Sequence, residues 1–339
     1  MYLIDPSHKW YKANLHTHST LSDGKQTPSE LKDVYKSLGY DILCITDHEL
    51  CIDHSYLNEE DFLMLTGYEM GGINSEKWNR RSKTYHLCYI SRDPHNTAQV
   101  YRIKNFSDEA RALMKDADVE YPWRWTYSTE SINEMISLGK AQNYLVTYNH
   151  PGWSLQSYPD YAGLEGLWGV ELYNSTCSVD GYDDNNQKVY QDMLMLGKNL
   201  YPVCADDLHN AKNRRKIKGF CMIGADALEY GAVIRAMEEG KIYASTGPII
   251  HSIRYEDGKV YVACDGAQHI NLNTHFRIAK QVRADVGKTI TEAEFDISLW
   301  LEDCTEEEAA TDSPFFRITV VGPDGSMAYT RPFRRSDIL

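Results

Sequence analysis

His16 and His18 stand one residue apart in Asn14-Leu15-His16-Thr17-His18, and on an extended chain alternate side chains leave the same face. Two neutral imidazoles on one face make half of a site for zinc, iron or manganese. Asp23 follows within a turn, next to Gly24, and can return a carboxylate to the same place. An isolated His-x-His pair is more often chance, or a pair of strand histidines on a wet edge. The rest of the chain reverses that reading.

Further residues of ligand type fall at or beside the ends of strand-like runs. Asp41-Ile42-Leu43-Cys44-Ile45-Thr46-Asp47-His48 has a continuous apolar centre, as a parallel strand covered on both faces should, and ends in histidine. Phe62 to Glu69 ends in a carboxylate, and Thr84 to Ile90 carries His86 near its beginning. Tyr144 to His150 ends in histidine before Pro151-Gly152, and Leu200 to Ala205 runs into Asp206-Asp207-Leu208-His209. His16, His18, His48, His86, His150 and His209 are thus half of the 12 histidines. His8, His54, His95, His251, His269 and His275 lie in loops or the C-terminal third and read as ordinary polar histidines. With Asp23, Glu69 and Asp207 the set exceeds the roughly three to six ligands that one ion needs, which points to two or three ions.

The elements between these runs are helical. Thr27-Pro28-Ser29-Glu30 is a capping box with proline at the first helical position, and Leu31, Val34, Tyr35 and Leu38 repeat at helical spacing up to Gly39. Ser131-x-x-Glu134 predicts a second helix closed at Gly139; Val189, Met193, Leu194 and Gly197 mark a third, and Gly231–Gly240 a fourth. Gly169–Asn174 reads as a shorter strand. Alternating strands and helices, with ligand-type residues at strand ends, describe an α/β barrel with its site at one rim. From Ile249 onward Ile253–Tyr255, Val260–Ala263, Phe295–Trp300 and Phe316–Val321 are β-type runs separated by turns such as Glu256-Asp257-Gly258 and Pro323-Asp324-Gly325. The expected division is a barrel over residues 1–248 and a small all-β sandwich over 249–339.

Leu15-His16-Thr17-His18 to Ser22-Asp23-Gly24, Thr46-Asp47-His48, Glu69, His86, Asn149-His150-Pro151 and Asp207-x-His209 together resemble the polymerase and histidinol phosphatase (PHP) family. The region through Pro248 resembles a stand-alone metallohydrolase and phosphoesterase branch with a C-terminal β-sandwich. The resemblance implies a distorted (β/α)7 barrel holding a trinuclear site. It implies His16, His18 and Asp207 on one metal, Asp23, His48 and His209 on a second, Glu69 as a bridge, and His86 and His150 on the third. Asp23, Glu69 and Asp207 are the carboxylates it places at the chemistry. The last motif departs from the family's usual Ser-Asp-x-His, because Asp206 precedes Asp207. Asp207 has the required spacing to His209, which leaves Asp206 as a supporting or surface carboxylate.

Three carboxylates and three divalent ions (zinc, manganese or iron) would leave a positive pocket that attracts phosphate oxygens. The chemistry so implied is attack of a metal-activated hydroxide on the phosphorus of a small phosphate ester. Hydrolysis of a carboxyl ester, carbamate or amide on the same site is the second expectation, and a non-enzymatic metal-stabilised binding domain the third. Lys25, Arg80-Arg81-Ser82-Lys83 and Arg214-Arg215 are candidate phosphate contacts, though each reads more readily as solvated surface charge. The long connection from Arg92 to Thr129 carries Tyr121-Pro122-Trp123-Arg124-Trp125-Thr126-Tyr127, which could stack on a substrate ring or pack on the barrel wall.

Composition bounds these readings. The chain has 339 residues, 42% of them hydrophobic, enough for a large core and two domains. A net charge of −14 argues against wrapping long nucleic acid and leaves only short oligonucleotides as nucleic-acid substrates. Without an apolar run long enough to span a bilayer, or an apolar segment among the first dozen residues, no membrane is expected and a cytoplasmic location is. The eight cysteines, several inside apolar runs, read as buried free thiols. A homo-oligomer is compatible with all of this.

Overall fold

The computed structural model describes residues 1–77, 79–100, 125–183, 186–305, 308 and 312–338. Tyr121–Arg124 of the aromatic motif therefore lie outside the described residues. In chain order the strands are β1 Tyr2–Ile4, β2 Lys9–Asn14, β3 Ile42–Ile45, β4 Leu63–Asn74, β5 Thr84–Ser91, β6 Tyr144–Tyr148, β7 Gly169–Asn174, β8 Tyr201–Ala205 and β9 Phe220–Ala225. They continue as β10 Ile242–Ser245, β11 Ile250–Glu256, β12 Lys259–Ala267, β13 His269–Thr274, β14 Ala279–Arg283, β15 Ile290–Asp296, β16 Phe315–Val321, β17 Met327–Thr330 and β18 Phe333–Arg334.

The fold is mixed α/β, with one large mixed sheet and one smaller antiparallel sheet. Strands β2 to β8 are neighbours in sequence order. Pairing is parallel for β2/β3, β3/β4, β6/β7 and β7/β8, and antiparallel for β4/β5 and β5/β6. Just beyond β2 and β8 the two ends of this run meet: Thr17 pairs in parallel with Leu208, the His18 amide donates to the Leu208 carbonyl (3.0 Å), and the Asp207 amide donates to the His16 carbonyl (2.9 Å). All four residues of β3 are buried, as its unbroken apolar sequence requires.

Regular alternation with helices does not hold throughout. β4 passes to β5 as an antiparallel pair, and only the short 3-10 turn Ser55–Leu57 is assigned between β3 and β4. β4 also runs past Glu69 to Asn74, because a bulge between Met70 and Ile73 lets the chain bend and go on pairing with β5. Glu69 thus lies within a strand rather than at its end. The first helix, Pro28–Ser37, has its capping box in place and buries Leu31 and Tyr35. The second begins at Thr129, not Ser131: Ser128 is the cap and accepts from the Ser131 amide, and the helix runs through Gly139 to Ala141. The others expected lie at Gln187–Met195 and Tyr230–Glu238.

The C-terminal third builds outward from the same sheet. β17 pairs with β10 and carries it on to β16, β13 and β14, while β1 joins β11, β12 and β15 in the smaller sheet. Leu31, Tyr35, Phe62 and Met64 share a buried cluster with Trp300, Phe316 and Phe333 across this junction. The run expected as strand over Phe295–Trp300 breaks after Asp296. Its Oδ1 accepts the Ser298 amide (2.9 Å), and Ser298–Asp303 turns helical with Trp300 fully buried. At the β11/β12 hairpin Asp257 and Gly258 both take positive φ (47° and 78°), as a two-residue turn of primed type demands. Among the described residues no helix is long and apolar enough to cross a membrane. All eight cysteines are free thiols, seven of them buried.

Candidate metal centre

Every strand from β2 to β8 except β7 delivers a residue of the expected set to one end of the sheet run. His16 and His18 follow β2, His48 follows β3, Glu69 lies in β4, His86 in β5, His150 follows β6, and Asp207 and His209 follow β8. All nine expected residues come together in one connected cluster. Glu69 is its centre: Oε1 lies 3.3 Å from His16 Nε2, 3.1 Å from His86 Nδ1 and 3.3 Å from His150 Nε2. Its Oε2 lies 3.4 Å from His18 Nε2 and 3.2 Å from His48 Nδ1. Asp207 Oδ1 is 3.0 Å from His18 Nε2, 3.4 Å from His16 Nε2 and 3.6 Å from His209 Nδ1. Asp23 stands at the open side, with Oδ2 3.3 Å from His209 Nε2 and 3.8 Å from His48 Nε2.

Local chemistry explains how these side chains are aimed. The Ser19–Gly24 turn that returns Asp23 is clamped by the buried Asp47, whose carboxylate accepts from the Ser19 amide (2.7 Å), the Ser19 hydroxyl (2.6 Å) and the Ser22 hydroxyl (2.6 Å). A Cβ on Gly24 would lie 2.2 Å from the His18 carbonyl oxygen, so the turn closes only around glycine. His150 and Asp207, and Glu49 beside His48, hold left-handed backbone (φ 26°, 50° and 49°). Such strain in residues other than glycine persists where the surrounding structure over-determines it, and it gathers at functional sites.

The donor set fits cations. Three groups offer nitrogen and carboxylate atoms all within 4.8 Å of one another: His16, His18, Glu69 and Asp207; His18, Asp23, His48 and His209; and His48, Glu69 and His86. His18 Nδ1 is buried without a hydrogen-bond partner, which is costly unless a cation satisfies it. The electrostatics agree. Burial lowers the pKa of His18, but Asp207 and Glu69 outweigh it and raise the value to about 10; His150 is raised to about 9 against the same burial, chiefly by Glu69. His48, penalised by burial and by His18, is pushed down to about 3. Burial raises the carboxyl pKa of Glu69 and Asp207, yet the surrounding imidazoles hold both well below the ordinary value. Three carboxylates thus carry negative charge in a crowded, mostly buried space, and cations must neutralise it, whether protons on imidazole or metal ions.

A cavity of about 220 Å³ opens on the cluster. Its far wall is Trp153, Thr176, Cys177, Asp180 and Tyr182. Trp153 meets His86 and His150 edge-on, with ring centroids 5.4 and 5.1 Å apart. Among the described residues no lysine or arginine lines the cavity. Of the candidate cations, Lys83 pairs with Asp160 at 2.6 Å, and Arg80, Arg81, Arg214 and Arg215 are exposed outside the cavity lining. Lys25 is exposed beside the cluster, where its amide donates to the His209 carbonyl (2.9 Å), and is not among the lining residues. Trp125 is buried in the main core, and Tyr127 lies against Tyr85 (4.7 Å), so the described end of the aromatic motif packs on the wall.

Asp206 is fully buried and bonded away from the cluster, which rules out the surface alternative and leaves the supporting one. It accepts from Asn14 Nδ2 (2.7 Å), Tyr35 Oη (3.0 Å) and the Lys218 and Gly219 amides (2.9 and 2.8 Å); burial pushes its pKa up to about 7. Four further residues carry roles that the sequence reading did not assign: Asp47 as the clamp, Asn149, quoted there only as part of a motif, whose Nδ2 donates to Glu69 Oε1 (3.0 Å), and Glu171 and Asn174 of β7. The one signal for Glu171 was a carboxylate between Val170 and Leu172 in the Gly169–Asn174 run.

No protein-family model matches this chain, and no curated protein does. Thirteen chains of solved structures are similar to it. One is a two-domain protein containing a predicted PHP-like metal-dependent phosphoesterase from Bacteroides vulgatus, 14% identical over 97% of this chain and 96% of that one, with a TM-score of 0.45. Another is an amidohydrolase from Chromobacterium violaceum with bound sulfate and no metal, 18% identical over 68% of this chain and 96% of that one, TM-score 0.41. A third is a lesion-specific endonuclease from Pyrococcus furiosus, 13% identical over 68% and 56%, TM-score 0.38. PHP-like proteins are thus among those it is similar to, the same family its motifs resemble. The likeness is of shape at low identity, and the functional reading stands on the residues of the cluster.

Proposed function

We propose that this chain is a metal-dependent hydrolase of the PHP type and, within that class, a phosphoesterase acting on small phosphorylated molecules. The observation that carries the reading is Glu69, with five imidazole nitrogens 3.1–3.4 Å from its two oxygens, beside an open cavity. In this reading His16, His18 and Asp207 hold one divalent ion, Asp23, His48 and His209 a second, and His86 and His150 a third, with Glu69 shared; zinc, manganese and iron all suit the donors. Bound there, two or three ions would supply water of lowered pKa and positive charge for the phosphoryl oxygens. The chain's own part is to fix those positions and exclude bulk water, and Trp153 and Tyr182 give the organic portion of a substrate an aromatic wall.

The site would stand at the rim of a distorted seven-stranded barrel, β2 to β8, closed by the Thr17–Leu208 bridge, with the β-sandwich beginning near Ile249. Free, mostly buried thiols suit a reducing cytoplasm.

One observation favours a second reading. Without a described lysine or arginine on the cavity wall, nothing there but bound ions would neutralise a phosphate. A carboxyl ester, carbamate or amide makes no such demand. The deciding measurement is kcat/KM for matched phosphate and acetate esters of one alcohol. Preference for the phosphate ester supports the phosphoesterase; preference for acetate by about tenfold, roughly 1.4 kcal/mol in transition-state binding, overturns it.

A further inference from the structure

Glu171 is fully buried and stands directly behind the cluster, outside the nine expected residues. Three donors converge on its carboxylate. His16 Nδ1 lies 2.8 Å from Oε1; the His150 amide donates to Oε2 (2.9 Å), and so does Asn174 Nδ2 (3.1 Å). The Asn174 amide cannot turn round, because its Oδ1 accepts from the Cys177 amide (3.0 Å). Its Nδ2 therefore faces the carboxylates, and it reaches Asp207 Oδ2 as well, at 3.1 Å.

We infer that Glu171 is a positioning residue that holds the proton of the His16 ring on Nδ1 and so keeps Nε2 free to bind a metal ion. The inference rests on the proposed metal centre. A carboxylate only accepts, so the ring nitrogen facing it must carry the proton. The opposite nitrogen, Nε2, is the one that faces Glu69 and Asp207. The same carboxylate fixes the His150 backbone, and through Asn174 it ties Asp207 to the same frame. Groups from β2, β6, β7 and β8 are thereby locked to one another without Glu171 touching the cavity.

Glu171→Gln separates this role from mere packing. The amide oxygen must stay at the Oε2 position, where the His150 amide and Asn174 Nδ2 both donate. Its NH2 group then faces His16 Nδ1, which has to become the acceptor and move its proton to Nε2. The ring is still held in place, but turned chemically the wrong way round.

The test is zinc binding and ¹⁵N spectroscopy of the full chain, with no substrate needed. In zinc-loaded wild type, His16 should show a protonated Nδ1. In E171Q, affinity for at least one zinc should fall by about 10- to 100-fold, and the Nδ1 proton should be lost. A variant that binds zinc within twofold of wild type and keeps that proton overturns the inference while leaving the metal centre standing. Wild type that takes up no zinc overturns both. Should E171Q not fold, the wild-type ring decides alone: an unprotonated His16 Nδ1 in the zinc-loaded protein refutes the role.

Discussion

His16 Nε2 and His18 Nε2 lie 3.2 Å apart in a buried setting, their rings inclined at 61°. Two lone pairs at that distance repel unless a proton or a metal ion stands between them or beside them. Asp207 Oδ1, 3.0 and 3.4 Å from the same two nitrogens, adds negative charge to the spot. Asp207 and Glu69 raise the pKa of His18 to about 10 despite burial, so that in the metal-free protein a proton on His18 meets this demand. An ion taken up here must displace that proton.

That exchange sets opposite pH dependences for the two states. His18 and His150, raised to about 10 and 9 from an unfolded value near 6.5, stabilise the metal-free fold fully below pH 6.5 and lose that contribution as pH rises toward 9–10. His48, depressed to about 3, contributes stability above pH 6.5 that is lost as pH falls toward 3. Chelator-treated protein should therefore melt at its highest temperature near pH 6.5 and lose stability steadily from there to pH 10. Zinc-saturated protein should not show the alkaline loss, because apparent zinc affinity rises as protons leave. Parallel melting curves in the two states would contradict this.

Zinc uptake should also release protons. Calorimetry at pH 7.5 in buffers of different ionisation enthalpy should show at least one proton released per protein as zinc saturates the cluster. Saturation should require more than one equivalent, since the donors exceed the needs of a single ion. An endpoint at one equivalent with no proton release would remove the multinuclear reading.

Glu69→Gln takes the shared carboxylate from five imidazoles. We expect fewer zinc equivalents and kcat/KM for the best ester substrate lowered by about a hundredfold or more, while far-UV circular dichroism keeps its native shape. A variant with normal zinc content and normal rate would take Glu69 out of the site.

Asp206 and Asp207 are neighbours with separate duties. Asp206→Ala strands Asn14, Tyr35 and two backbone amides in the interior and should cost about 3 kcal/mol, read as a lower midpoint in urea. Zinc stoichiometry should not change. Asp207→Asn should lose zinc and, because Asp207 helps hold the proton on His18, should also lower metal-free stability at neutral pH. If Asp206→Ala loses zinc while its fold is as stable as wild type, the roles are exchanged.

The nine cluster residues were legible because ligand-type side chains at strand ends recur often enough to outweigh chance. Glu171 and Asn174 were not, since a single carboxylate or amide in a strand has no spacing to recognise until β7 lies between β6 and β8. Glu69 was legible as a residue but misplaced as a strand end, because the bulge after Met70 is set by pairing with β5. Alternation suggested that Phe295–Trp300 continues as strand; the Asp296–Ser298 hydrogen bond and the burial of Trp300 decided otherwise. The pairing of β1 with β11, and of β10 with β17, joins stretches far apart in sequence, and no local pattern announces such a register.

The Thr17–Leu208 bridge joins chain segments 191 residues apart, and on each side of it the Asp207 and His18 amides make the bonds that hold the seam. Closing so distant a contact carries a chain-entropy cost that local strand pairing does not, and buried amide hydrogen bonds hold it shut. His16 and His18 stand on one lip of it, Asp207 and His209 on the other. In the proposed reading an ion bound between them is a clasp across the gap, so that breathing of the seam and escape of the ion become one event. Exchange of the His18 and Asp207 amide hydrogens would then run at the rate at which the protein lets go of its metal.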